Sequence, residues 1–384
     1  MDNLIFIQSL TQKVCAILSF ISNSLLIQLV LYRSPDGVGM YKYLMVYISA
    51  FELVYAFLGL IVQPEFYSYS SVILVIARTD RFGLPVWIIR VINTLFCNMF
   101  GISMAMFTIH FIYRYCVIIG SPMIRMDSAF KVCIWFLSPI LYGFVWGIFL
   151  VGTLGPSEST NIVLGERFLP FRHITIDQIT YVGPNYYTRD LNGTETLNLI
   201  VCGGMAGLTI MVTISFATIS MFAYKCYKGV GNLLHESQHS EGYKILQSQL
   251  LNMLVVQVTI PFVLMHGPAS FMFTGPILHF GNEIAGGLFC IAVAVYPVLD
   301  PLPTMFMVQH YRQVLKEMIK KKTKWMVGDE HIFDEIECNF SDSMVISSEN
   351  GVSTLLFKRE IGKYRFRSSI CVIFTRIFLF CLRN

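Results

Sequence analysis

Charged residues are scarce in this sequence: Asp, Glu, Lys and Arg make up 14% of its 384 residues, and the formal net charge is only +4. Motifs of common catalytic sites are also missing, including a P-loop, a G-x-S-x-G nucleophile motif and an H-E-x-x-H zinc motif. A hydrophobic fraction of 55% exceeds what one soluble core of this size covers. We therefore expect an integral membrane protein that is not an enzyme, needs no cofactor and binds no nucleic acid.

The ten cysteines form no C-x-x-C pair, and most lie inside apolar runs, so we interpret them as small buried hydrophobic residues. No cysteine lies between residues 154 and 196, which excludes a disulfide that anchors this segment. His235 and His239 are four residues apart, but no cysteine or acidic arrangement completes a metal site. The sequence therefore predicts no metal.

Seven runs of about twenty mostly apolar residues are each ended by charged or loop-forming residues, as is typical of transmembrane helices. Backbone amides have no water to bond in hydrocarbon, and the alternation with period two that a barrel needs is absent. The predicted fold is an all-α integral membrane bundle of seven transmembrane helices. The predicted runs are 12–32, 43–63, 89–113, 130–152, 198–222, 249–273 and 284–308.

Lys and Arg are concentrated on one side of the predicted membrane, after runs one, three, five and seven. The positive-inside rule makes that side cytosolic, so we expect an extracellular N-terminus and a cytosolic C-terminus. A glycosylation sequon at Asn192 lies between runs four and five, on the predicted extracellular side.

The segment after run seven, YRQVLKEMIKKKTKW, alternates apolar and basic residues. This pattern predicts a short amphipathic helix on the anionic inner leaflet, and the alternative is a merely positive flank that stops translocation. Residues 327–360 are acidic, rich in Ser and without clear periodicity, which favours disorder. We expect a membrane domain at 1–318 and a mostly disordered cytosolic tail at 319–384.

Four strings along the chain carry a family resemblance. They are NSLLIQLVLYRSPDGVGMYKYLMVY across runs one and two, HFIYRY ending run three, ILQSQLLNMLVVQVTIP entering run six, and YPVLDPLPTMFMVQHYR ending run seven. In this order they resemble the nematode Str-type seven-transmembrane G-protein-coupled chemoreceptors, the group that includes the diacetyl odorant receptor. The resemblance implies a chemosensory (odorant) receptor in the plasma membrane of sensory cilia that couples to a heterotrimeric G protein.

Run three carries a stripe of residues at helical spacing that should face the bundle axis. Its extracellular half is mostly apolar with a few amide groups, which suits the wall of a pocket for a small, neutral, volatile or lipophilic ligand. Ordinary helix packing is the alternative. The candidate ligand-binding residues are Asn93, Cys97, Asn98, Phe100, Gly101 and, in run six, His266.

Arg114 stands between Tyr113 and Tyr115 at the cytosolic end of run three and resembles the arginine of the Asp-Arg-Tyr motif of other G-protein receptors. We expect it to pair within the inactive bundle and to meet the G protein when the bundle opens. The alternative is an ordinary positive-inside arginine. Tyr113 replaces the usual acid, so an adjacent Asp–Arg pair cannot form.

Asp300-Pro301 resembles the start of the seventh-helix motif of other G-protein receptors, and Pro261 predicts a second bend in run six. These bends are either pivots or fixed kinks. Asn23, Glu52 and Asp300 are predicted to form an inward polar network, because a carboxylate in the membrane needs a partner. The alternative for Glu52 is a protonated side chain that only joins helices.

Two other functions compete with the receptor hypothesis. A seven-span transporter should show repeated halves with matching broken helices, and a channel should show charged rings or a filter, and the sequence shows neither. A receptor homologue that does not signal is the other alternative.

Overall fold

The computed structural model describes residues 2–81, 83–125, 127–189, 195–235 and 240–327. Within these residues, seven helical segments are long and apolar enough to cross a membrane, as predicted. The sequon residue Asn192, His239 and the chain beyond residue 327, with most of the predicted tail, lie outside the described residues.

The helices extend past the predicted apolar runs at several ends, since hydrogen-bonded helix continues where the side chains become polar. The helices are α1 (Asp2–Arg33), α2 (Tyr41–Val62), α3 (Val86–Ile118), α4 (Ala129–Thr153), α5 (Glu158–Val163), α6 (Leu169–Arg172), α7 (Leu199–His235), α8 (Glu241–Pro261), α9 (Gly267–Thr274), α10 (Glu283–Leu299), α11 (Pro301–Met307) and α12 (Gln309–Val327).

Prolines interrupt the sixth and seventh spans. Between α8 and α9 the helix widens into a π-helical turn at Phe262–His266. Pro261 precedes this turn and Pro268 follows it after Gly267, and neither proline has an N–H for helical bonding. The seventh span breaks at Asp300, where α10 ends and Pro301 begins α11. Both spans therefore depart from regular α-helix beside the prolines at which bends were predicted, Pro261 and Pro301.

The two ends of the bundle differ in structure. At the end that carries residue 2, here called the N-terminal face, the loops fold into an antiparallel sheet of β1 (Glu65–Tyr69), β2 (Val72–Arg78) and β3 (Ile179–Val182). The sheet, together with α5 and α6, forms a structure that we call the cap. The opposite end, the C-terminal face, has the short turn Asp36–Val38 and the loop between α3 and α4.

The cap has a small hydrophobic core of its own, which explains why these loops are ordered without a disulfide. Strand β2 is buried along most of its length, since it lies between β1 and β3. The core residues are Tyr67, Val72, Leu74, Ile76, Leu164, Phe168, Ile179 and Tyr181. The sequence analysis predicted helices and loops and missed this sheet.

Close backbone contact fastens the cap to the seventh span. A Cβ added to Gly286 would collide with the carbonyl oxygen of Phe66, so this position of α10 admits the strand because it is glycine. The Phe66 ring packs edge-on against Phe289 with centroids 4.8 Å apart. Strand β1 and helix α10 therefore act as one packed unit.

Residues 1–311 form one compact unit, and the helix that follows the seventh span belongs largely to a second one. Helix α12 covers the predicted amphipathic segment and extends it by two residues at each end, at Gln309 and Val327.

Candidate functional site

A stripe of buried side chains along α3 forms the central part of the candidate site. Phe96, Ser103, Phe107, His110 and Arg114 are at most 5% exposed, as expected for side chains at helical spacing that face the bundle axis. Their burial follows from the central position of α3, which packs against α2, α4, α7 and the cap.

An aromatic cluster fills the middle of the bundle around His266. This residue lies at the end of the π-helical turn, is 3% exposed, and packs edge-on against Phe100 with ring centroids 4.6 Å apart. The Ser103 hydroxyl lies 3.4 Å from His266 Nε2, and Phe216 of α7 packs on the other side. Two predicted ligand residues, Phe100 and His266, are thus brought together across α3 and the sixth span.

The other predicted ligand residues face neighbouring structure. Asn93 donates its side-chain amide to the carbonyl of Val75 in the cap, at 3.0 Å. A Cβ on Gly101 would collide with the Trp146 ring, so this glycine serves the contact between α3 and α4. The side chain of Asn98 points to the same helix, because it lies 3.4 Å from the position of a Cβ on Gly143.

Cys97 also packs on the α4 side, beside the hydrophobic cluster that contains Trp146. Positions 97, 98 and 101, which lie beside the predicted stripe, are rotated by about 60° or more around α3 from its residues at 96, 100 and 103. The pocket wall therefore stays a prediction, in which Phe100 and His266 are the members that lie against each other.

A cavity of about 40 Å³ lies under the cap, beside the axial face of α3. Among the described residues that line it, none is charged, and Gln12 and Cys290 supply most of the polar atoms. Gln12 donates to the carbonyl of Pro64 at 2.8 Å and lies 2.9 Å from the Cys290 sulfur. The lining residues are Gln12, Ala16, Tyr55, Ala56, Gly59, Pro64, Phe66, Phe96, Cys290, Val293, Ala294 and Pro297.

Sequence reasoning missed most of these cavity residues. They come from α1, α2 and α10, whereas the prediction concentrated on run three and run six. A polar Gln12 at the edge of an apolar run was the one available signal, because such a side chain needs a partner in the membrane.

The predicted polar residues are buried but bind separate partners. Glu52 of α2 accepts a hydrogen bond from the Tyr296 hydroxyl of α10, and Asn23 donates to the carbonyl of Pro297 at 3.0 Å. Asp300 accepts a hydrogen bond from Gln257 of α8 at 3.2 Å. Each of the three contacts has one end on the broken seventh span, at Tyr296, Pro297 or Asp300, so together they fix its position against α1, α2 and α8.

Arg114 is almost completely buried near the C-terminal face, with 1% of its surface exposed. One guanidinium nitrogen donates to Gln247 of α8 twice, to the main-chain carbonyl at 3.1 Å and to the side-chain oxygen at 2.7 Å. The guanidinium carbon lies 5.2 Å from the Tyr41 ring, and Tyr41 stacks on Tyr113. An arginine serving only as a positive flank would be exposed to water or headgroups, so this burial argues against that alternative.

Gln247 extends the contact to the first loop, because its amide nitrogen lies 3.4 Å from the carbonyl oxygen of Gly37. His110 joins from one turn above, with its Nδ1 3.1 Å from the Tyr41 hydroxyl. We call Tyr41, His110, Tyr113, Arg114 and Gln247 the arginine cluster. It joins α2, α3 and α8 near the C-terminal face.

Tyr115 and Pro261, the remaining predicted switch residues, lie outside this cluster. Tyr115 packs against Phe222 of α7, with ring centroids 5.5 Å apart. Pro261 is the last residue of α8 and immediately precedes the π-helical turn that carries His266. It therefore lies between the arginine cluster and the aromatic cluster on the same span.

Comparison with known proteins agrees with this architecture. Residues 8–316 match the family described as serpentine type 7TM GPCR chemoreceptor Str. The chain is 31% identical to the G-protein coupled receptor str-217 of Caenorhabditis elegans over 321 residues, covering 82% of this chain and 91% of the relative. It is 24% identical to the serpentine receptor class r-10 of the same species, covering 78% of this chain and 86% of the relative.

Among solved structures, squid rhodopsin superposes with a TM-score of 0.53 and covers 92% of this chain and 91% of its own, at 12% identity. This likeness concerns the fold alone. Together with the family match, the seven spans and the buried arginine at the end of α3 identify the chain as a member of the Str family of serpentine seven-transmembrane G-protein-coupled-receptor-type chemoreceptors.

Proposed function

We propose that this chemoreceptor binds a small, neutral, volatile or lipophilic molecule in the half of the bundle under the cap and activates a heterotrimeric G protein at its C-terminal face. The observation that carries the proposal is the arginine cluster. A guanidinium held to α8 by two hydrogen bonds closes the face at which a G protein would dock. Breaking these bonds gives a discrete second state, which is what a switch requires.

The proposed ligand site lies between the cavity beside Phe96 and the aromatic cluster of Phe100 and His266. The described lining offers apolar surface and a few uncharged polar groups, which favours burial of a neutral molecule and offers no charge to compensate an ionic one. A volume of about 40 Å³ is too small for an odorant-sized molecule, so ligand binding would expand this region.

Expansion of this site would move the two helical segments that carry the arginine cluster, α3 and the sixth span. Phe96 and Phe100 lie on the same helix as Arg114, and His266 lies on the span that carries Gln247. A ligand that binds the expanded form better than the closed form shifts the population towards separated α3 and α8. The bends at Pro261 and Pro301 are the proposed pivots of this movement.

The proposed orientation places the N-terminal face outside the cell and the C-terminal face in the cytosol, in the plasma membrane of a sensory cilium. The bias of Lys and Arg towards the loops of the C-terminal face supports this orientation.

The test is a panel of neutral volatiles, organic acids and amines applied to cells that express the receptor with a G-protein nucleotide-exchange readout. We expect activation by neutral compounds, and a loss of potency of at least about tenfold for Phe100→Leu. Phe144→Leu is the matched control, because this phenylalanine of α4 is 68% exposed and lies away from the axis. Activation by charged compounds alone, or equal potency in both variants, contradicts the proposed ligand site.

Coupling is tested separately with Arg114→Ala, scored as exchange per receptor at the cell surface. We expect exchange to fall strongly at saturating agonist, because the variant removes the group that meets the G protein. If nucleotide exchange per surface receptor is unchanged, Arg114 has no role in coupling and serves only the packing of the helices.

A further inference from the structure

A second cavity lies at the N-terminal face, between the end of α4, the start of α7 and the cap loop that follows β3. We call it the side cavity. Its volume is about 240 Å³, which is enough for a small organic molecule, because one water occupies about 30 Å³ of the liquid. None of the described residues that line the side cavity is charged.

Asn185 is the residue of the side cavity that indicates a ligand. It lines the cavity and is 3% exposed, yet neither Oδ1 nor Nδ2 of its side-chain amide has a hydrogen-bond partner among the described residues. A buried acceptor and a buried donor without partners are both unfavourable. A molecule that donates to the oxygen and accepts from the nitrogen would satisfy both atoms.

The other polar side chains of the side cavity already have partners. Thr153 donates to a main-chain carbonyl of its own helix at 2.7 Å. The hydroxyls of Ser157 and Thr160 lie 2.8 Å apart, and the Asn198 side-chain oxygen accepts from an N–H in the first turn of α7 at 3.2 Å. Asn185 is therefore the group with the most to gain from a bound molecule.

The main chain holds Asn185 in place from both sides. Before it, the carbonyl of Pro184 accepts from the N–H of Ile73 at 3.1 Å, and after it, the N–H of Tyr186 donates to the carbonyl of Ser71 at 3.2 Å. A side chain on such a fixed segment is ordered before a ligand arrives, which lowers the entropic cost of binding.

The side cavity also has an apolar edge that faces outward. Val151 of α4 and Ile200 of α7 line it and are 71% and 68% exposed, as expected for side chains of spanning helices that face lipid. An alkyl chain that extends from the cavity would contact these side chains and leave water.

We infer that the side cavity is a second ligand site, distinct from the proposed site in the bundle, and that it binds a primary carboxamide that carries an alkyl chain. A primary amide presents an N–H and its C=O on one edge, so it can donate to Asn185 Oδ1 and accept from Nδ2 at the same time. A carboxylate has no donor and brings a charge that the described lining does not compensate.

The experiment measures equilibrium binding of radiolabelled octanamide to purified full-length receptor in lipid nanodiscs, with binding to empty nanodiscs subtracted. We expect saturable binding, and competition by N,N-dimethyloctanamide and by octanoate that is at least roughly tenfold weaker, because neither has an N–H for the Asn185 oxygen. Butanamide tests a source in water instead of lipid. It should compete, but more weakly than unlabelled octanamide, because its chain is too short to cover the apolar edge.

Variants then locate the amide. Asn185→Leu should weaken octanamide binding at least roughly tenfold without lowering the midpoint of thermal unfolding of the unliganded receptor, because it removes a buried amide that has no partner. Gly152→Leu, which leaves Asn185 intact, should weaken binding by occupying the cavity, since a Cβ there meets no atom within 4 Å. Gly203→Leu is the matched control, at a glycine with equally open space outside the described lining.

Phe100→Leu separates this site from the one in the bundle and should leave octanamide affinity unchanged. Three results would overturn the assignment. They are equal affinity for octanamide and N,N-dimethyloctanamide, octanamide affinity unchanged in both Asn185→Leu and Gly152→Leu, and a loss of affinity confined to Phe100→Leu.

Discussion

The hydrogen bonds between Arg114 and Gln247 should set how active the receptor is without ligand. Gln247→Ala removes the side-chain oxygen that accepts at 2.7 Å and leaves the main-chain carbonyl that accepts at 3.1 Å. A hydrogen bond to a charged group contributes about 1.5–3 kcal/mol. If that bond exists in the closed state alone, its loss raises the ratio of open to closed receptor by roughly 10-fold to 150-fold.

The assay is agonist-free nucleotide exchange on a co-expressed G protein, divided by surface receptor. The matched control is Gln28→Ala, because Gln28 lies on an exposed face of the first span and has no contact with Arg114. We expect basal exchange to rise in Gln247→Ala and to match wild type in Gln28→Ala.

The opposite substitution provides the decisive comparison. Gln247→Glu places a carboxylate against the buried guanidinium, so a bond between two charged groups replaces a weaker one between a charged group and a neutral amide. Basal exchange should then fall, and agonist potency should fall with it, because the ligand must break a stronger contact. If both variants move basal exchange in the same direction, or neither moves it, the arginine cluster does not hold the closed state.

Two further predictions concern topology and the cap. Glycosidase treatment should shift the mobility of wild type but not of Asn192→Gln. A second sequon, Asn339-Phe340-Ser341, lies in the predicted cytosolic tail, and a shift lost only in Asn339→Gln would reverse the proposed orientation. Gly286→Val should destabilise the receptor by about 1–3 kcal/mol, because its side chain meets the carbonyl of Phe66, and lower the midpoint of thermal unfolding. Gly203→Val is the control, since a Cβ there meets open space, and equal midpoints for the two variants would refute the tight contact between strand and helix.

The seven spans could be predicted from the sequence because a membrane helix is specified by local composition alone. Twenty apolar residues without charge have no other stable structure in hydrocarbon, whatever their neighbours are. The axial position of Arg114, His110 and Ser103 was equally accessible, since helical spacing fixes which residues share a face.

The cap could not be predicted in this way, because its strands depend on partners distant in the chain. Val75 of β2 pairs with Phe66 across a tight turn but also with Val182, more than one hundred residues later. The alternation of a half-buried strand is absent from β2, whose residues Val72–Ala77 are all buried between two neighbours and the bundle. A short continuous apolar run of this kind is equally compatible with a buried helix and a buried strand.

The candidate ligand residues show a different limit, because residue type alone does not fix which side of α3 each side chain faces. Asn98 and Gly101 lie near Phe100 in sequence but point to α4, and glycine at position 101 reflects the close approach of Trp146. Polarity and small size are signals both of pockets and of helix interfaces in membranes, so residue type alone does not separate the two.

In the proposed mechanism, the contacts at the two ends of the bundle determine what a ligand must do. The cap covers the N-terminal face, the arginine cluster joins α3 to α8 at the other end, and the cavity between them holds about 40 Å³. The closed contact uses a neutral amide and a carbonyl as acceptors instead of a carboxylate, so it is weaker than an ion pair of the same geometry. A neutral ligand that gains a few kcal/mol more in the expanded cavity than in the closed one is then sufficient to invert the population. Because coupling between two binding sites is reciprocal, a G protein that stabilises the separated helices must raise the affinity of that ligand by the same factor.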